Sequence, residues 1–258
     1  MMTLALATLL GLVVGSFLNV VITRLPMMLL ATEASSQTTK PTLSLCSPGS
    51  HCPQCQQKIF WRHNIPLVSY CFLKGRCAHC RQRISLRYPL VEGLAAIGTC
   101  FILYIGGITI HSLSVLVFYY FTMAIIWIDW QHQLIPDWLS IPLLWLGLIA
   151  NSQTLWTSAA DAISAAAVGY LLLWLTLHGY RILRGRDGLG HGDCKLLAAL
   201  GAWLGLHGML SALLIASLLG IASALVLLAR RQIHYHETIA FGPFLALAGL
   251  MLLINQLR

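Results

Sequence analysis

The feature that most constrains this chain is the distribution of its charges. Only 9% of its 258 residues are charged and 58% are hydrophobic, with a mean hydropathy of +0.77, whereas a soluble domain carries about a quarter charged residues. The few charges gather between long apolar runs, at about 2–22, 89–107, 108–128, 138–151, 159–183, 195–207, 208–230 and 242–256. The pattern predicts an all-α polytopic membrane protein of about eight apolar helices, some short, embedded in the lipid bilayer. The runs starting at Trp138, Lys195 and Gly242 fall below the roughly 20 residues a perpendicular helix needs to cross. They either cross a thinned region or enter part way.

The formal net charge is +8, but its placement argues against a nucleic-acid partner. Arg24, Lys40, Lys58, Arg62, Lys74, Arg76, Arg81, Arg83 and Arg87 sit in one polar insert, and most other cations flank apolar runs. That is a topology signal. Met1 to Ile22 has no basic leading segment and reads as a retained first span. With the insert 23–88 in the cytoplasm, an even number of crossings puts the loops 129–137, 184–194 and 230–241 there too, and both termini outside. Three regions follow: 1–22, a first transmembrane span; 23–88, a cytoplasmic module; and 89–258, a helical membrane domain. No internal repeat is evident, and Ala31 to Pro41 reads as a flexible link.

Within the insert, Cys52, Cys55, Cys77 and Cys80 form C-x2-C-x21-C-x2-C. Two such knuckles let four thiolates converge on one tetrahedral ion, so this small module between the first and second spans is predicted to bind structural zinc, with a hairpin in the spacer. Cys46, Cys71, Cys100 and Cys194 lack matching spacing and read as ordinary thiols.

Two stretches concentrate acid where acid is scarce. Gly188-Leu189-Gly190-His191-Gly192-Asp193-Cys194-Lys195 puts Asp193 at the start of an apolar helix, where it is either a cap or a working group. It matches neither the phosphate-loop nor the dinucleotide-binding pattern. The second stretch, Asp129 to Asp137, puts Asp129 at the end of one helix and Pro136-Asp137 at the start of the next. Asp137 reads as a helix cap. The helix dipole disfavours an anion at Asp129 and favours one at Asp193. Two carboxyls in contrasting settings on one membrane face are what an aspartic peptidase uses, one holding a proton while the other activates water. Asp193 is then the base and Asp129 the proton donor. Gly190 and Gly192 would let a substrate strand approach. Glu92 either pairs with Arg87 or meets substrate. His234-Tyr235-His236-Glu237 is either a metal site or a solvated loop.

The residues resemble the bacterial type IV prepilin peptidases, the bifunctional leader peptidase and N-methyltransferase family of G-x-G-D intramembrane aspartic proteases. The resemblance runs through Gly15-Ser16-Phe17-Leu18-Asn19-Val20, the two C-x-x-C pairs, Asn64-Ile65-Pro66, Tyr88-Pro89-Leu90-Val91-Glu92 and Asp129 with Leu134-Ile135-Pro136-Asp137. It ends with Gly190-His191-Gly192-Asp193-Cys194-Lys195-Leu196 and Phe241-Gly242-Pro243. It departs at Leu189, Cys194 and Ala240, none of which removes a catalytic group. The resemblance implies that Asp129 and Asp193 are catalytic, that 89–258 is the protease domain, and that the tetracysteine ligands are Cys52, Cys55, Cys77 and Cys80. It implies cleavage of the short basic leader of type IV prepilins or type II secretion pseudopilins at the cytoplasmic face of the inner membrane. It also implies N-methylation of the new terminus with S-adenosylmethionine. Two other readings stay open: a peptidase without methyltransferase activity, and a non-enzymatic membrane scaffold with a zinc docking module.

Overall fold

The computed structural model describes residues 2–34, 44–47, 49–52, 54–185, 190–230 and 240–257. Among these the chain is helical, without strands, and it divides into two compact units, Met1–Ile108 and Thr109–Arg258. Five helices are long and apolar enough to cross a membrane: Thr3–Ala31, Arg87–Gly106, Ile110–His132, Ala159–Arg184 and His191–Ala229. The chain is a multi-pass membrane protein.

The first unit is built on α1 (Met2–Ala34) and α3 (Arg87–Gly106), with the short α2 (Val68–Phe72) in the insert between them. α1 and α3 run antiparallel and close together because glycines open the contact. A Cβ on Gly11 would lie 2.5 Å from Ala96 Cα, and one on Gly15 would lie 2.9 Å from Glu92 Cα. This small-residue seam, four residues apart on α1, is how membrane helices gain van der Waals contact where lipid provides no hydrophobic drive. Further along the pair, Asn19 Nδ2 donates to Tyr88 O at 3.1 Å and Arg87 Nη2 to Thr23 Oγ1 at 2.7 Å. α1 continues to Ala34, so the first part of the expected link is helical and its remainder lies outside the described residues.

The second unit comprises α4 (Ile110–His132), α5 (Asp137–Ser152), α6 (Ala159–Arg184), α7 (His191–Ala229) and α8 (Gly242–Asn255). Side chains at the boundaries explain the ends. Thr109 caps α4 by accepting from Ser112 N, and Ser158 caps α6 by accepting from Asp161 N, each at 3.2 Å. Gln133 and Gly185 close α4 and α6 in left-handed conformation, the usual way to stop a helix. α6 and α7 pack through small residues: a Cβ on Gly201 would lie 2.6 Å from the Ala165 backbone, and one on Gly169 3.1 Å from Leu197 O.

α7 is two helices. At Gly205 the backbone turns to φ 69°, ψ −175°. The half 206–229 folds back, because Gly192 meets Ile135, Ile135 meets Gly242, and Gly220 meets Phe241 and Phe244. An unbroken helix would hold Gly192 and Gly220 about 40 Å apart. The reversal frees backbone groups that lipid cannot satisfy, and the side chains of buried Asn151 and half-buried Asp161 meet them. Asn151 Nδ2 donates to Ala202 O at 2.7 Å and Trp203 O at 3.2 Å, while its Oδ1 accepts from Trp156 N and Thr157 N. The Asp161 carboxylate accepts from Leu206 N, which opens the second half, and from Thr157 Oγ1. The runs 195–207 and 208–230 therefore stand as separate rods joined by one glycine, completing eight apolar helices. The three short ones, α5, 191–204 and α8, all begin at the same end of the unit.

Candidate functional site

Those three helix starts and the end of α4 enclose both aspartates. Asp193 occupies the third position of α7, where its Oδ2 accepts the Gly190 N–H at 3.2 Å, one half of a capping box. Asp129 lies in the last turn of α4, and Gln133 N–H bonds back to Asp129 O at 2.9 Å. The left-handed Gln133 then turns the chain so that Leu134 and Ile135 return across the site to α5.

Ile135 packs against a glycine beside each acid, Gly192 next to Asp193 and Gly242 against Asp129. A Cβ on Gly192 would fall 2.7 Å from Ile135 Cβ, and one on Gly242 would fall 2.8 Å from Ile135 Cδ1 and 2.6 Å from Asp129 Oδ2. Gly192 therefore accommodates Ile135, not a substrate strand as its sequence position suggested. Gly242 brings the start of α8 against Asp129, its N–H facing the carboxyl. Both aspartates are buried, at 4% and 7% exposure, and the charge on Asp129 acts on Asp193. Among the described residues Asp129 Oδ2 and Asp193 Oδ1 have no hydrogen-bond partner. Two close carboxyls with unspent oxygens can share a proton, and can between them hold and activate a water.

The helix-end argument that separated their roles changes here. Asp129 does end α4, but the start of α8 faces it, so each carboxyl sits at a helix N-terminus. The apolar run 242–256 marked α8 in the sequence, but nothing there placed its start against Asp129. Asp137 also differs from expectation. It begins α5 without making a side-chain cap bond, and its carboxylate instead takes Lys195 Nζ, joining α5 to α7 at an exposed pair. Gly188 and Leu189, and His234 to Glu237, lie outside the described residues.

In the first unit the four cysteines converge. Their sulfurs all lie within 4.8 Å of one another, and Cys52 and Cys80 Sγ are 3.8 Å apart. A tetrahedron with Zn–S of about 2.3 Å has edges of about 3.8 Å, so the set fits zinc. The expected hairpin is absent: the spacer holds a 3-10 helix, Trp61–Asn64, and α2. Each knuckle instead closes its own antiparallel bridge, His51 with Lys58 and Arg76 with Arg83. The knuckles repeat one another: Gln56 N bonds Cys52 O and Cys52 N bonds Gln57 O, as Arg81 N bonds Cys77 O and Cys77 N bonds Gln82 O. Cys52-x-x-Cys55-x-Gln57-x-Ile59 matches Cys77-x-x-Cys80-x-Gln82-x-Ile84, a short internal repeat overlooked in the sequence because so few positions are identical. The N–H groups of Cys80 and His79 draw the Cys77 thiol down to about 6, which favours a metal-binding thiolate at neutral pH.

Glu92 is buried in α3 and has a partner that the sequence did not suggest. Its Oε2 accepts the Leu67 N–H at 2.9 Å, and Ser16 also reaches it.

Comparison with known proteins agrees with this division. Residues 9–105 match the Bacterial Peptidase A24 N-terminal domain, and residues 116–225 match the Type IV leader peptidase family. A prepilin leader peptidase/N-methyltransferase of Dickeya chrysanthemi is 42% identical over 261 residues, covering 96% of this chain and 92% of that protein. Proteins of the same description from Pseudomonas aeruginosa and Aeromonas hydrophila are 42% and 40% identical, over 95% and 97% of this chain and 88% and 90% of theirs. No solved structure matches the chain.

Proposed function

Given that this chain belongs to the Type IV leader peptidase family, we propose that it is a membrane-embedded aspartic endopeptidase whose dyad is Asp129 and Asp193. Its substrates are prepilins or pseudopilins, cleaved after their short basic leader at the cytoplasmic face of the inner membrane. The observation that carries the reading is the pair of buried carboxyls, each with an oxygen unpartnered among the described residues.

The reaction follows from those oxygens. One carboxylate takes a proton from water as the water oxygen attacks the scissile carbonyl carbon, and the other carboxyl gives its proton to the carbonyl oxygen. Collapse of the tetrahedral intermediate breaks the C–N bond, and the proton taken from water passes to the leaving amine. With a helix N-terminus at each acid the dyad titrates as one unit, and the roles are not divided between the two.

Cys52, Cys55, Cys77 and Cys80 would hold a structural zinc, which would staple the insert. The cleaved product is then N-methylated, as the descriptions of the relatives indicate. S-adenosylmethionine supplies the methyl group when bound. Among the described residues no strand, glycine loop and helix form a nucleotide-binding unit. The regions 1–22, 23–88 and 89–258 serve as anchor, zinc module and protease domain.

The test is leader removal from a co-expressed prepilin by Asp129→Asn and Asp193→Asn. Both variants should insert normally and release no mature pilin. Cleavage by either variant rejects the dyad, and tolerance of Asp193→Ala favours a scaffold. The mass of the mature pilin amino terminus separates a peptidase that methylates from one that does not.

A further inference from the structure

The insert of the first unit does not stand wholly clear of the helix pair. The polar edge of α1 and α3 is marked by Thr23, Arg24 and Arg87, where Arg87 donates to Thr23. Residues 61–73 run back inside that edge. Leu67 N–H is bonded to Glu92, about 8 Å along α3 from Arg87 by helical rise. Asn64 and Pro66 line a groove of about 320 Å³ with Val13, Ser16, Phe17 and Val20 of α1, and Ser16 lies about 10 Å inward of Thr23.

From Ile65 to Phe72 the exposed side chains are apolar or thiol. Ile65 and Val68 are exposed, and Phe72 is 84% exposed. Its backbone is meanwhile closed internally: Ile65 N donates to Ser69 Oγ, Ser69 Oγ to Arg62 O, each at 3.0 Å, and Leu67 N to Glu92. Leu67 itself adopts φ 57°, ψ −47°, disfavoured for a branched side chain, and the bond to Glu92 offsets that cost. Irregular backbone persists at membrane depth only where protein satisfies its polar groups. An acid in a membrane helix whose oxygen holds a backbone N–H of this segment meets that need.

We infer that residues 61–73 form a re-entrant interfacial segment that docks on lipid, with Val68 and Phe72 at the boundary between headgroups and acyl chains of an anionic leaflet. Continuity favours lipid as the occupant, since the exposed Val13 and Phe17 walls of the groove belong to a candidate span. Charge favours an anionic lipid. The chain has no acidic residue between Glu33 and Glu92, while Lys58, Arg62, Lys74 and Arg76 surround the segment. Such a surface attracts acidic headgroups and repels a basic leader peptide. The inference rests on α1 and α3 spanning the membrane, not on peptidase activity.

The test uses the full chain with p-benzoylphenylalanine in place of Phe72, reconstituted in vesicles of phosphatidylcholine with or without phosphatidylglycerol, irradiated, and weighed intact. A lipid-mass adduct is expected, several-fold more abundant with phosphatidylglycerol, while the same label in place of the exposed Gln82 gives none. Absence of a lipid adduct at position 72 overturns the proposal, as does a crosslink to the chain itself or to a co-reconstituted prepilin. Equal adducts in both vesicles overturn its charge preference. In the unmodified protein, amide exchange of residues 65–72 should slow several-fold on adding phosphatidylglycerol, and unchanged exchange also counts against it.

Discussion

Each unit buries acid inside a membrane helix, and the two do so differently. In the first unit Glu92 accepts from Leu67 N–H and from Ser16, and Arg87 is engaged with Thr23 and lies 5.1 Å over the Tyr88 ring. In the second, Asp129 and Asp193 each keep an oxygen without a partner among the described residues. A buried polar group normally finds a partner, and leaving it unpaired costs about 1–3 kcal/mol. The acid whose bonds are spent holds a fold together, and the acids whose bonds are left open are arranged for a reactant. Burial alone does not separate these cases; the use of each lone pair does.

The sharpest break of that contrast is chemical. Asp129→Asn or Asp193→Asn should reduce leader cleavage by roughly 10³-fold or more, the scale of a lost acid or base. Glu92→Gln keeps an acceptor for Leu67 N–H and should change cleavage little. A steady-state assay on reconstituted protein checks this, and equal losses at all three positions would erase the distinction. Next in size, Gly242→Ala forces a methyl group to within 2.6 Å of Asp129 Oδ2. It should lower turnover by about 10²-fold through misplacement of the carboxyl, whereas Gly93→Ala, with nothing within 4 Å, should leave it unchanged.

Glu92 and the cysteines test the structural side. Cys77→Ser removes one thiolate from a set whose sulfurs lie within 4.8 Å; zinc content should fall from stoichiometric to near zero, and protease should cut the insert faster. Glu92→Ala should destabilise the first unit by about 1–3 kcal/mol, because Leu67 N–H is left unpaired. A lowered thermal midpoint with near-normal cleavage of the surviving folded protein is the expected pattern. A collapse of cleavage without loss of stability would move Glu92 to the chemical side.

Most of this architecture was legible as pattern. Apolar run lengths marked eight rods, and thiol spacing marked the metal cluster, because both signals are local. The closing of the site was not, because it depends on contacts between distant elements. Nothing near Asp129 indicates that α8 begins against it, and nothing near Gly192 indicates that Ile135 fills the space left by its missing Cβ. The reversal at Gly205 was visible only as a boundary between two apolar runs, since the partners that stabilise it, Asn151 and Asp161, lie on the two helices before it. The bond from Leu67 N–H to Glu92 was hidden for the same reason: Leu67 has no charge to announce it.

The smallest predicted effect concerns an ion pair beside the dyad. Lys195 stands two residues after Asp193 and pairs with Asp137 across the starts of α5 and α7, with side chains 31% and 51% exposed. Its position invites a catalytic reading, but exposure weakens its electrostatics, and pairs of this kind contribute about 0–1 kcal/mol. The start of α7 is also held from within, by Gly190 N–H on Asp193 Oδ2 and by Ile135 packed on Gly192. Lys195→Ala should therefore change the thermal midpoint by no more than about a few degrees and leave turnover within about twofold of the parent, with the difference vanishing in high salt. A large loss of turnover that salt does not mimic in the parent protein would show that Lys195 acts on the dyad. The open carboxyl oxygens would then have a third partner in the reaction.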